Sequence, residues 1–244
     1  HSAAVDAGGT LHWLGLLAAL AMLLPASETV VAVINRLISE SARPDHLPRL
    51  ALAEGIPPEH RVMVVIPGML TSGPGVDQLV HRLALHYLAN PEPEAQFALL
   101  SDWADADTAR TGGDAALLEN ATRQIQELNT RYPKAGVGGD AAPRFILLHR
   151  ERQFCETEQR WIGWERKRGK PEQLVAALAL GHSEAFMDLG ECSRMAANTR
   201  YLVTLDSDTQ LPPERLRDLV GVAAHPHNQP RLDPARRRVV GGYG

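Results

Sequence analysis

Apolar and polar positions alternate in two distinct rhythms along this chain, and the rhythm changes at definite points. "RVMVVIP" (61–67), "QFALLSD" (96–102), "RFILLHR" (144–150) and "RYLVTLD" (200–206) are short apolar runs rich in branched and aromatic residues, the signature of buried strands. Between and after them the spacing shifts to that of helices. Leu79, Leu83 and Tyr87 recur through 76–90, and Leu118, Ile125 and Leu128 through 116–132. "PEQLVAALAL" (171–180) opens on Pro at a first helical turn, and "PPERLRDLVGVAAH" (212–225) follows the fourth strand. Strand and helix alternate at the spacing of βαβ units, which predicts a parallel sheet with helices on both faces.

The first 60 residues follow a different pattern. "LHWLGLLAALAMLLPA" (11–26) is almost wholly apolar and rises about 24 Å as a helix, slightly short of a bilayer's hydrocarbon core. The continuation sets Val30, Val33, Ile34, Leu37 and Ile38 on one face and leaves Glu28, Arg36 and Glu40 polar, with Pro25 offering a place to bend. A membrane helix running into an interfacial helix fits residues 1–41, and the helix of a soluble core is the competing reading. No Lys or Arg precedes the run, against a secretory signal, whereas Arg36, Arg43 and Arg49 follow it and orient the remainder toward the cytoplasm. The absence of an initiating Met reads as a fragment of something longer. Four prolines make 42–60 a linker, and 61–244 is the α/β domain.

Composition narrows the functions. A net charge of −4 and 5% aromatics give neither an electrostatic pull toward nucleic acid nor a base-stacking platform. Cys155 and Cys192 stand alone, so neither a zinc site nor a disulfide framework is expected.

The polar residues at the strand ends carry the candidate chemistry. In an open parallel sheet Thr71, Asp102 and Asp206 gather on one edge, where ligands bind. Asp206 and Asp208 in "TLDSDTQLP" are either a clamp for a hard divalent cation or a polar turn before Pro212. In "WIGWERKRGKPEQL", Arg166, Lys167, Arg168 and Lys170 surround Gly169 just before a helix. They form either a phosphate site or a solvated basic loop, and the flanking Trp161 and Trp164 weigh against bare solvation. Asp102, followed by Asp105 and Asp107, could accept from a uracil N–H or ribose hydroxyls, or belong to an acidic surface loop. His149, His225 and His227 show no metal-ligand spacing. "GHSEA" (181–185) approximates a nucleophile elbow around Ser183, but the segment before it favours helix over the strand that a serine hydrolase needs.

Taken together, "LLPASETVVAVINRL", "RVMVVIP", "HYLANPEPEAQFALLSDWADA", "RFILLHRERQF", "WIGWERKRGK" and "YLVTLDSDTQLPPERLRDLVGVAAHPHNQP" resemble the glycosyltransferase domain of cyclic β-1,2-glucan synthases. The resemblance runs in order from about residue 20 to "VVGGYG", and "WERKRGK" and "TLDSDTQLP" are its most specific pieces. It implies a GT-A-type, Rossmann-like nucleotide-sugar-binding sheet, attached to membrane helices of a large bacterial inner-membrane enzyme and facing the cytoplasm. It implies UDP-glucose as donor, Mg²⁺ or Mn²⁺ as cofactor, a growing glucan as acceptor and the remaining domains of the synthase as partners. An α-linked donor and a β-linked product imply inversion. Carried onto this chain, Asp206 and Asp208 would hold the metal, and Lys167, Arg168 and Lys170 would steady the phosphates. Pro67, Thr71 and Asp102 would bind the uridine, with Asp206 also on the donor. The family's general base lies downstream of "VVGGYG", so the expectation is a donor-binding half with little or no transfer by itself. A non-catalytic nucleotide-sugar-binding module is the alternative.

Overall fold

The computed structural model describes residues 2–41, 47–134, 142–165, 167–181, 184–206 and 208–242. Two units divide at Leu47/Pro48. The first is helix α1 (Ser2–Ser41), which continues through Pro25 as a single element. His12–Ser41 is long and apolar enough to cross a membrane by length and composition, about 45 Å at a helical rise. Its apolar residues are exposed, including Val30, Val33, Ile34, Leu37 and Ile38. Arg36 and Glu40 pair one turn apart at 2.9 Å. The interfacial segment expected after Pro25 is therefore the same helix as the apolar run.

The second unit is an α/β domain built on a four-stranded parallel sheet. Its strands are β1 (Val62–Leu70), β2 (Ala95–Trp103), β3 (Phe145–Arg150) and β6 (Tyr201–Thr204), in the order β3-β2-β1-β6. The helices are α2 (Gly73–Ala89), α3 (Asp114–Arg131), α4 (Gly169–Leu180) and α5 (Arg215–Ala224). Two short hairpins, β4–β5 (Gln153–Cys155 and Arg160–Ile162) and β7–β8 (Arg231–Asp233 and Arg238–Gly241), complete the domain.

Alternation along the strands builds two cores. Val62, Val64 and Ile66 of β1, with Phe97 and Leu99 of β2, meet Val76, Val80 and Leu83 of α2, Ile125 of α3 and Leu216 and Val220 of α5. Met63 and Val65, with Ala98, Leu100, Ile146 and Leu148, meet Leu174 and Ala177 of α4 on the opposite face. The central strands are near-continuous apolar runs because both of their faces are covered. Ser72 caps α2 by accepting from the Gly75 N–H at 3.2 Å.

Residues 48–60, within the segment expected as a linker, pack on this unit. Ile56 is buried and the Leu50 N–H donates to the Gly221 carbonyl at 3.0 Å.

Candidate functional site

All four strands run the same way, so their carboxyl ends form one edge. The chain leaves β1 toward β2 and β3 on one side and returns to β6 on the other, which puts the topological switch point between β1 and β6. Register aligns Gly68 with Ser101, Met69 and Arg150 with Asp102, and Val65 with Thr204.

Asp102 is the centre of a buried ion cluster. It is 0% exposed, with Arg150 at 4% and Lys170 at 2%. Its Oδ1 accepts from Lys170 Nζ at 3.2 Å, and its Oδ2 accepts from Arg150 Nη2 at 3.0 Å. Lys170 also donates to the Gly68 carbonyl at 2.9 Å, and Arg150 to the Trp164 carbonyl at 2.9 Å and Gln173 Oε1 at 2.7 Å. One carboxylate thus ties the ends of β1, β2 and β3 to the start of α4. Gly169 makes the close approach possible, since a Cβ there would lie 2.6 Å from Trp164 Cε3.

The basic cluster divides by burial. Lys167 and Arg168 face solvent just ahead of α4, with Arg168 3.9 Å from Glu172, whereas Lys170 is committed inward to Asp102. Arg166 lies outside the described residues. The carboxylates divide in the same way. Asp206 and Asp208 are exposed on the loop after β6, across β1 from Asp102, and the Asp206 carbonyl accepts from the Thr209 N–H at 3.0 Å in a turn. Asp208 borders a groove of about 450 Å³ against Arg82, Leu85 and His86 of α2. Pro67 is half-buried near the end of β1, and Thr71 is exposed just beyond it.

Among the described residues no group of three or more His, Cys, Asp and Glu could enclose a metal. Two exposed carboxylates nevertheless suit Mg²⁺ or Mn²⁺ of the kind that takes one or two protein ligands and completes its shell with water and phosphate.

Behind the edge lies a second polar layer that sequence reasoning passed over. Arg152 makes a bidentate pair with Asp114, to Oδ2 at 2.5 Å and Oδ1 at 3.0 Å, and donates to the carbonyls of Ala104 and Ala109. This pins the loop from β2 to α3 onto the end of β3. Burial pushes the Asp114 carboxyl up, but hydrogen bonds from Arg152 and Thr111 outweigh it and hold the pKa at about 2. His149, wholly buried beside Trp103, shares a 2.8 Å hydrogen bond through Nδ1 with Ser101 Oγ, and its Nε2 has no partner. Burial lowers its pKa to about 4, with Asp102 opposing and Lys170 reinforcing the shift. The available signal was positional: "HRERQ" sets Arg150 at the end of a fully buried strand and Arg152 two residues on.

Ser183 lies outside the described residues. The element before it is α4, ending at Gly181 with φ 72°, so the strand that a nucleophile elbow requires is replaced by a helix.

The fold and its charged carboxyl edge define a Rossmann-like α/β domain accompanied by an apolar helix. No known protein-family profile matches the chain. The chain is 40% identical over 220 residues to the cyclic β-(1,2)-glucan synthase NdvB of Rhizobium meliloti, a match covering 90% of this chain and 8% of that protein. The chain is therefore similar to one short segment of a cyclic β-(1,2)-glucan synthase, spanning less than a tenth of that protein's length.

Proposed function

We propose that this chain is the donor-binding part of an inverting glucosyltransferase that uses UDP-glucose and a divalent metal in β-1,2-glucan synthesis. The observation that carries this reading is the 40% identity to a glucan synthase along nearly the whole chain. The exposed acidic pair and the basic residues ahead of α4 support it, since both lie on loops of a sheet whose strand order creates a ligand crevice.

In this reading Asp206 and Asp208 hold Mg²⁺ or Mn²⁺. When bound, the ion supplies positive charge that stabilises the departing diphosphate. Lys167 and Arg168 offer further charge to the phosphates, helped by the N-terminal dipole of α4. Pro67 and Thr71 form the uridine side, whereas Asp102, with no exposed surface and both carboxylate oxygens engaged, meets no ligand directly. Asp102 and Lys170 contribute through the buried cluster, which holds the loop and the strand ends rigid. Inversion proceeds by one displacement and needs a base for the acceptor hydroxyl. Helix α1 anchors the domain to a bacterial inner membrane on the cytoplasmic face, where the other domains of the synthase and the growing glucan meet it.

Calorimetric titration of the full chain with UDP-glucose in the presence of Mn²⁺ tests the reading. Saturable binding that UDP competes and GDP-mannose does not is the expected result. Failure of any uridine nucleotide to bind would remove it.

A further inference from the structure

Beside the outer edge of β3, away from the switch point, lies a cavity of about 480 Å³. Its floor is the carboxyl end of β3 and the residues just after it, and its walls are Trp164 and the segment 184–188, which the Met187 N–H joins to the His149 carbonyl at 2.8 Å. Three features set the chemistry of its occupant.

The first is a fixed aromatic face. Trp164 remains 41% exposed although its ring packs against Gly169 and its carbonyl is held by Arg150. An indole immobilised in this way presents a flat apolar surface without further ordering cost. The second is the state of the cations. Arg150 and Arg152 both line the cavity, but each already has a buried carboxylate partner, Asp102 and Asp114. The third is the remaining polar rim, the neutral Gln153 with the carboxylates of Glu151, Glu184 and Asp188, all exposed. Glu151 pairs with the exposed Arg110, and one Asp188 oxygen accepts from the Gly190 N–H at 2.8 Å.

Paired cations and outward carboxylates repel phosphate and favour a neutral ligand that donates several hydrogen bonds. A flat apolar face beside such acceptors suits a pyranose ring, whose C–H face is apolar and whose hydroxyls are donors. We infer that the Trp164 cavity is a second carbohydrate subsite, separate from the proposed donor site, that holds glucosyl units of a β-linked oligosaccharide. The ligand class rests on the glucan-synthase reading above.

The test uses the full chain in lipid nanodiscs, because maltoside detergents carry glucose rings of their own. A β-1,2-linked glucotetraose is titrated and followed by saturation-transfer NMR and calorimetry. Saturable binding is expected, unaffected by excess UDP and weakened about tenfold or more by Trp164→Ala. Trp164→Phe should restore affinity to within about threefold of wild type. The Glu184→Gln/Asp188→Asn pair should weaken it several-fold while leaving thermal stability unchanged, which guards against a folding defect in Trp164→Ala. Equal affinity in Trp164→Ala and wild type, displacement by UDP, or no binding by wild type would each overturn the subsite. UDP and Mn²⁺ are titrated into the same preparation. Nucleotide binding without sugar binding removes this inference alone, and absence of both removes the donor reading with it.

Discussion

Replacing Asp102 by Asn deletes one charge and almost no volume, yet it takes a carboxylate away from two buried cations. Arg150 and Lys170, at 4% and 2% exposure, would lose that carboxylate, and their neutral acceptors Gly68 O, Trp164 O and Gln173 Oε1 carry no compensating charge. Breaking a buried pair by removing one partner costs roughly 3–5 kcal/mol, because the uncompensated charge remains desolvated. A domain of this size loses about 2–4 °C in Tm per kcal/mol, so Asp102→Asn should unfold roughly 6–20 °C below wild type. The transition can be followed by tryptophan fluorescence, since Trp103 and Trp164 flank the cluster. The second half of the experiment is Lys170→Met in the Asp102→Asn background. It removes one of these cations, so the double variant should be more stable than the sum of the single losses, with a coupling of about 0.5–3 kcal/mol. A loss below about 1 kcal/mol for Asp102→Asn, or strict additivity, would refute the claim that a buried ionised carboxylate holds this edge together.

Two further predictions concern pH. Asp114 is held at about 2 against an ordinary 3.8, so its contribution is complete above 3.8 and disappears as pH falls through about 2. Arg152→Met removes the main partner, and acid unfolding should move upward in pH; an unchanged acid midpoint would contradict the pairing. His149 has its pKa lowered to about 4 from 6.5, so between these values the unfolded chain takes up a proton that the folded chain refuses. Wild-type stability should therefore fall as pH drops from 6.5 to 4, and His149→Phe should flatten that window. An identical pH profile in urea unfolding would count against a neutral buried imidazole.

How far the sequence reaches can be judged from individual elements. The four main strands and the helices between them follow from apolar runs and helical spacing, because burial on both faces of a parallel sheet leaves an unbroken hydrophobic signal in β1, β2 and β3. The hairpins β4–β5 and β7–β8 leave no such signal. Their strands are three or four residues long and mostly exposed, too short to establish an apolar alternation. At the candidate site, sequence position assembles the right edge but not the depth of each residue. Lys167, Arg168 and Lys170 look equivalent in "KRGK", yet the start of α4 turns the first two outward and the third onto Asp102. The position of Arg150 and Arg152 at and just after the end of a buried strand was legible, but their burial was not, because arginines at strand ends ordinarily face water. Here they are buried by partners 48 and 38 residues away in the chain, and no local pattern encodes such a pairing.

The proposed donor site stands or falls with a uridine nucleotide held at the carboxyl edge through a metal on Asp206 and Asp208. The most direct test is UDP affinity measured with and without Mn²⁺ in wild type and Asp208→Asn. Wild type should bind UDP at least about tenfold more tightly with Mn²⁺, and Asp208→Asn should abolish this gain without lowering thermal stability. UDP binding that is independent of Mn²⁺, or an Mn²⁺ gain that survives in Asp208→Asn, would contradict it.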